Sequence, residues 1–348
     1  MTRAAFLIPG DLHLPTGGYA YDRRVLALFA AMGLDVEHVE LPAAYPAPTV
    51  SDLSKTAQIV AGLPDDAALL IDGLAYGAMP EHLIRQFKRP IIALCHHPLA
   101  LEAGLSPSRS AELKASETMA LALARAVIVT SPATRDLLVA DFGVGANRVA
   151  VAIPGTDPAP RSHGTGNPLQ LLAVGSVVPR KGYDVLMRAL SRLKGLDWHL
   201  DIAGADDRAP QAATVLRDLI STTGLSGRVT LNGAVSDERL SQLYASADIF
   251  VMSSLFEGYG MVLAEAMARG LPIVCTTGGA AAETAPADAA LKVPPGDDVA
   301  LADALQTMMS NPDRRAKMAE ASWRSGLALP RWEETAHVIA DVIRKATA

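Results

Sequence analysis

Short apolar runs separated by longer helical stretches constrain this chain more than any other feature. In the first half the runs fall at residues 4–9, 36–41, 67–71, 90–95, 126–130 and 149–153. Between them lie segments of helical character, such as residues 21–32, which stop at Gly33, and residues 112–125. The rhythm then breaks at residues 154–168, a stretch with four prolines, three glycines and no apolar periodicity, which is linker composition. It resumes with runs at 169–174, 198–203, 228–231, 248–252, 272–275 and 290–293. Alternation of this kind predicts doubly wound parallel sheets, and its restart predicts two of them in tandem. The expected division is an N-terminal domain over residues 1–160 and a C-terminal domain over 165–330. A last helix at 331–345, within the tail 331–348, follows Pro330 and is expected to cross back to the first domain.

A chain of 348 residues is long enough for two such domains, each with its own core. Half of the residues are apolar but only 5% are aromatic, so the cores should be built from Ala, Leu and Val, as in parallel strands covered by helices. A net charge of −6 argues against nucleic acid as the main partner. Cys95 and Cys275 each end an apolar run and suggest neither a disulfide framework nor a zinc site. The apolar stretch near the N-terminus is too short for a signal peptide, and no window approaches the ~18 apolar residues of a membrane span. The expectation is a cytoplasmic protein, with contact to the inner membrane surface left open by Arg85, Lys88 and Arg89 on a helix expected at 81–88. A solvated helix face is the preferred reading of those three residues.

Ligands of open parallel sheets bind beyond the carboxyl ends of the strands, so two such domains facing one another predict a cleft with the chemistry at its strand ends. Four strand-end features of the second half point to one ligand. Gly175 and Ser176 lead into Pro179-Arg180-Lys181-Gly182 ahead of a helix expected at 183–193, which sets two cations beside a helix start and favours phosphate. Ser236 reads as an N-cap, and Gly278-Gly279, followed by Glu283, as a turn or a close backbone approach. The richest feature runs from Glu257 through Gly258, Tyr259, Gly260, Met261 and Val262 to Glu265. It is a polar turn between a strand and a helix expected at 261–268, whose first amides lack intrahelical acceptors. Glu257 on the turn and Glu265 inside the helix do not make the close carboxylate couple of a hydrolase. They contact different parts of an extended ligand, or one is a surface carboxylate and the other compensates a dipole.

In the first half, Gly17-Gly18 stands in the loop ahead of a helix bearing Asp22, Arg23 and Arg24, without the three-glycine spacing of a dinucleotide fingerprint. His96 and His97 follow the run 90–95 directly and precede Pro98. That places at least one of them at the strand end, in a structural or a catalytic role.

Residues 169–297 resemble the donor-binding half of glycosyltransferase family 4, retaining enzymes of the GT-B fold. The likeness rests on ordered motifs: VGSVVPRKGYDVLMRAL, then LNGAVSDERLSQLYASADIFVMSS, the Glu-x7-Glu element from Glu257 to Glu265, its continuation EAMARGLPIV, the later GG with Glu283, and VPPGD. The first half matches only through the Gly17-Gly18 loop, the histidine pair and the overall rhythm. The resemblance implies an α/β, GT-B architecture of two Rossmann-like doubly wound domains facing a cleft, acceptor side first and nucleotide-sugar side second. It implies transfer of a hexose from a nucleoside diphosphate sugar to a hydroxyl acceptor, whether lipid, polysaccharide or small molecule. Glu257 would hold donor-sugar hydroxyls and Glu265 the nucleotide ribose. Lys181, with the amides of Gly260, Met261 and Val262, would neutralise the diphosphate, and Gly175, Gly258 and Tyr259 would complete the donor pocket. His96 or His97 would lie against the transferred sugar, and Gly18 would let the acceptor-side loop come close. Many members carry Arg where this chain has Ser176, and Arg180 is the residue placed to compensate. No Asp-x-Asp is present, so neither a metal nor another cofactor is expected, and base, sugar, acceptor and oligomeric state stay open. Two other classes compete: a sugar-nucleotide epimerase of similar architecture, and a non-catalytic nucleotide-sugar-binding partner or regulator.

Overall fold

The computed structural model describes residues 2–347. They form two compact units, one reaching to Gly155 and taken up again from Pro330, the other spanning Thr156–Leu329.

The first unit is built on a six-stranded parallel sheet of β1 (Thr2–Pro9), β2 (Leu34–Leu41), β3 (Ala68–Asp72), β4 (Ile91–Cys95), β5 (Ala126–Val129) and β6 (Val149–Val151). The second repeats the plan with β7 (Leu169–Val174), β8 (Trp198–Ala203), β9 (Val229–Gly233), β10 (Ile249–Met252), β11 (Ile273–Thr276) and β12 (Ala290–Val293). Every apolar run expected to be a strand is one. The reason is visible in β3, β4, β10 and β11: all of their residues are buried, as central parallel strands covered on both faces require. Strand order is β2-β1-β3-β4-β5-β6 in the first sheet and β12-β11-β10-β7-β8-β9 in the second. Each order reverses once, between β1 and β3 and between β7 and β10. Loops leaving the carboxyl ends there diverge to opposite faces and open a crevice, the usual ligand position in such sheets.

Local signals set the helix starts. Thr16 Oγ1 accepts the Tyr19 amide, so the helix Gly17–Phe29 begins four residues before the expected 21, and Gly17-Gly18 forms its first turn rather than a preceding loop. Ser106 does the same for Pro107–Leu123, with proline in the first turn, and Ser236 caps Asp237–Ser246 as expected. The helix Trp332–Thr347 packs on Gly17–Phe29 and on β1 and β3 to β6. It buries Trp332, Ile339 and Ile343, and Thr335 Oγ1 donates to the Ile153 carbonyl at 2.6 Å. The chain therefore returns to its first sheet to cover apolar strand faces that the helices of residues 2–155 leave open.

Two expectations change. The helix expected at 81–88 stops at Ile84, Arg85 pairs with Glu81, and Arg89 is folded inward onto the carbonyls of Pro64, Val60 and Leu63. Arg85 and Lys88 stay exposed, but Arg89 leaves that face, its guanidinium capping the end of the helix Val50–Ala61 instead. Residues 154–168 have linker composition but are not a free linker from Ser162 on. Ser162 Oγ donates to the carbonyls of Ala245 and Ala247, and the Asp248 carboxylate accepts the amides of Gly166 and Gln170. Proline and glycine removed the helix and strand periodicity, while side-chain bonds supplied the order. Asp248→Ala strips a carboxylate from these amides and should destabilise the second unit by about 1–3 kcal/mol. Urea unfolding of the variant measures it, and an unchanged midpoint would show the segment to be held by other contacts.

Candidate functional site

In the second unit three charged side chains meet at the crevice between β7 and β10. After β7 the chain makes a single turn, Pro179–Lys181, closed by Gly182 in the left-handed region at φ +61. Any side chain on Gly182 would overlap the Ser253 carbonyl beyond β10, so glycine is required for this approach. The two loops are then stitched together: Leu255 N donates to the Arg180 carbonyl at 2.7 Å and Ser253 Oγ to that of Lys181 at 2.9 Å. The result aims both cations at Glu257. Lys181 Nζ lies 2.7 Å from Oε1 and Arg180 Nη1 3.2 Å from Oε2, and Ser254 Oγ donates to Oε1 at 2.6 Å. The Glu257 side chain is 9% exposed. Burial alone would raise its carboxyl, but Lys181 and then Arg180 outweigh burial and hold it down at about 2. Its backbone is fixed as well, the amide donating to Gly278 O and the carbonyl accepting from Ala280 N, so Gly278-Gly279 serves as the close backbone approach.

Glu265 stands one helix away from this cluster. It lies in Met261–Met267, which starts from Gly260 at φ +88, and its Oε2 accepts the Tyr244 hydroxyl at 2.8 Å. Burial raises its carboxyl, opposed by that bond and by Arg269. The helix has only seven residues, and Gly258, Tyr259 and Gly260 before it are buried. Gly175 and Ser176 are half-buried beyond β7, with Gly175 O accepting the Tyr183 hydroxyl. Within this unit the structure thus gathers Arg180, Lys181 and Glu257 directly. Gly175 and Ser176 border Lys181, and Glu265 is set apart on its own support.

The first unit holds a second charged cluster, at the crevice between β1 and β3. Here the two histidines part ways. His96, just past β4, points its Nε2 at Asp22 Oδ1, 3.1 Å away, and at Asp72 Oδ2, 3.5 Å away. His97 turns instead to Glu102 at 3.1 Å. Asp22 comes from the helix Gly17–Phe29 and Asp72 from the end of β3; they are 0% and 2% exposed. Burial would lower the imidazole, but the two carboxylates outweigh it and push His96 up to about 10. Burial, opposed by His96, pushes Asp22 up to about 7. The ligand-type atoms of these three residues lie within 4.8 Å of one another, close enough for a metal ion, but the imidazole itself bridges the carboxylates and no metal ligand is assigned. Gly18 packs against this ring: a β-carbon there would stand 3.3 Å from His96 Cδ2. Behind it, buried Glu117 accepts the Leu99 amide at 2.9 Å and so fixes the His97 to Leu101 turn; burial raises that carboxyl to about 8.

Asp22 was visible in the sequence without a role, and Asp72, Glu117, Tyr244 and Ser254 were missed. Asp72 alone left a signal, a carboxylate closing an otherwise apolar run. A recess of about 480 Å³ lies elsewhere in the first unit between Pro46, Leu53, Pro80, Arg109 and Glu112, and contains none of the expected residues.

Residues 157–324 match the family described as glycosyl transferases group 1. The chain is 26% identical over 324 residues to the MMP alpha-(1->4)-mannosyltransferase of Mycolicibacterium hassiacum, covering 88% of this chain and 77% of that one. It spans about half the length of most of the other curated relatives it matches, 38% of one and 59% of another. Among solved structures, the sucrose-phosphate synthase of Thermosynechococcus elongatus superimposes with a TM-score of 0.83 at 22% identity, over 99% of both chains. Anabaena HepE in complex with UDP-glucose gives 0.78 at 19% identity, over 99% of this chain and all of that one. The fold is that of the GT-B glycosyltransferases, and the relatives are transferases.

The two clusters respond oppositely to pH. His96 and Asp22 bind protons more tightly when folded, so the stability they contribute is complete below their ordinary values, 6.5 and 3.8, and is lost as pH climbs through about 7 and on to about 10. Glu257 is depressed, so its contribution is complete above 4.5 and lost only as pH falls towards 2. Denaturant unfolding should therefore show stability falling between pH 7 and pH 10, and Asp22→Asn should shrink that fall. A profile flat to pH 10 in the unmodified protein would refute the assignment.

Proposed function

We propose that this chain, placed among the GT-B glycosyltransferases by its fold and by the match of residues 157–324, is a retaining enzyme of family 4. It moves a hexose from a nucleoside diphosphate sugar to a hydroxyl acceptor. The observation that carries this reading is the convergence of Arg180 and Lys181 on a buried, ionised Glu257 at the crevice between β7 and β10. Two cations held at that position suit a diphosphate, and a carboxylate kept ionised among them suits sugar hydroxyls. A structural neighbour binds UDP-glucose, which supports a donor of that class.

In this reading Lys181 and Arg180 stabilise the charge that develops on the departing diphosphate, Arg180 serving where Ser176 replaces the arginine common in the family. The amides of Gly260, Met261 and Val262 add to that stabilisation, with Gly175, Gly258 and Tyr259 shaping the pocket. Glu257 orients the sugar and Glu265, braced by Tyr244, the ribose. His96, whose ring stands beside Gly18, is the histidine that meets the transferred sugar in this reading. The depressed carboxyl of Glu257 makes it a poor proton shuttle and a good fixed acceptor, in keeping with front-side departure in which the leaving phosphate takes the acceptor's proton. No metal is assigned to these steps.

Purified protein offered a panel of UDP- and GDP-hexoses should bind one of them, raise its melting temperature, and release nucleoside diphosphate when an acceptor is supplied. Tight donor binding with neither hydrolysis nor transfer to any acceptor would favour the non-catalytic binder. Glu257→Ala and Lys181→Ala should each cut turnover at least ten-fold, about 1.4 kcal/mol or more of transition-state stabilisation. Unchanged steady-state rates in both would remove the site.

A further inference from the structure

Two buried carboxylates share one imidazole nitrogen in the first unit, and neither the family match nor the resemblance assigns them a task. Asp22 Oδ1 and Asp72 Oδ2 approach His96 Nε2 from different elements, at 3.1 and 3.5 Å. A nitrogen facing two carboxylate oxygens carries its hydrogen, so Nε2 is committed as a donor into the protein. Asp72 is fixed in turn, because its Oδ1 accepts the Leu74 amide at 2.7 Å. Asp22 keeps one fully buried oxygen, Oδ2, without a partner. A buried carboxylate oxygen without a hydrogen-bond partner is costly to keep ionised, and the imidazole beside it favours the charged form against burial and the Asp72 carboxylate. Tyr21 meets the same ring edge-on, with centroids 5.2 Å apart, and Gly18 lies beside Cδ2. Among the described residues none hydrogen-bonds Nδ1, and 18% of the side chain is exposed.

We propose that Asp22 and Asp72 are positioning residues that hold His96 as an imidazolium with Nε2–H turned inward, leaving Nδ1–H as a fixed cationic donor to an oxygen of the bound sugar or acceptor. This rests on the reading above that His96 meets the ligand. In that state His96 gives a hydrogen bond throughout the neutral range and does not act as a base, since a base needs a free lone pair. Gly18 acquires a definite task, to leave room for the ring. The titratable groups around the ring are Asp22 and Tyr21 from the helix Gly17–Phe29 and Asp72 from β3, with Cys95 and Glu117 next beyond Asp72. Only the two aspartates supply charge that favours the imidazolium.

The test is long-range 1H–15N NMR of the histidine side chains in the full-length protein with chelator present, from pH 6 to 10, with His96 assigned by His96→Gln. Both ring nitrogens should be protonated at pH 8. In Asp22→Asn the imidazolium-to-imidazole ratio at pH 9 should fall at least ten-fold. Asp72→Asn reports the same change if Asp22→Asn does not fold. A neutral His96 at pH 7, or a titration unmoved by both substitutions, overturns the clamp. The functional half is read separately: Asp22→Asn should add a falling limb to the pH profile of transfer above pH 7, with nucleoside diphosphate affinity unchanged. Loss of nucleoside diphosphate binding in the unmodified protein would instead count against the donor reading, and leaves the NMR result to judge the clamp. An unchanged rate and KM in His96→Gln would overturn the ligand contact.

Discussion

The buried ion pair of Glu257 with Lys181 and Arg180 is the interaction on which the second unit's crevice depends. It joins the loop after β7 to the loop after β10, and the backbone of Glu257 carries the link on to the loop after β11. Ion pairs taken from water contribute little net stability when complete, but removing one partner costs about 3–5 kcal/mol because the other is left charged and buried. The arrangement therefore contributes geometry more than stability: three strand ends held in register, with the charge a phosphate would need already gathered. Gly182 and Gly278 exist in this scheme to let backbone approach backbone.

The two units solve the same problem with opposite charge. Each sheet reverses its order once, and near each reversal buried and half-buried titratable groups come together. In the second unit one carboxylate is outnumbered by two cations; in the first one imidazole is outnumbered by two carboxylates. In the proposed reading an excess of positive charge suits a diphosphate, and an imidazolium held by an acidic pair suits hydroxyl or sugar oxygens. The difference in partners follows from which side chains close the strands, since the backbone plan is shared.

Much of this was legible in the chain itself. Twelve apolar runs announced twelve strands, most clearly for β3, β4, β10 and β11, because fully buried parallel strands need unbroken apolar sequence. Lys181 and Glu257 were legible because each adjoins a glycine beyond a strand end, and Arg180 because it precedes Lys181. Segments whose order comes from side-chain to backbone bonds were not. Residues 154–168 read as a linker although Ser162 and Asp248 hold them, and Arg89 reads as part of an exposed helix face although it is folded inward.

The sequence by itself determined the fold class, the restart of the alternation near residue 160 and the strand ends at which to look, because hydrophobic periodicity and glycine placement act locally. Only the tertiary structure decided which charges meet. Asp22, Asp72 and His96 come from three elements brought together by sheet order alone, with 74 residues separating the first from the last. Neither the division of labour between His96 and His97 nor the pairing of Glu257 is written in any local pattern, because electrostatic partners are chosen by distance in space and by burial.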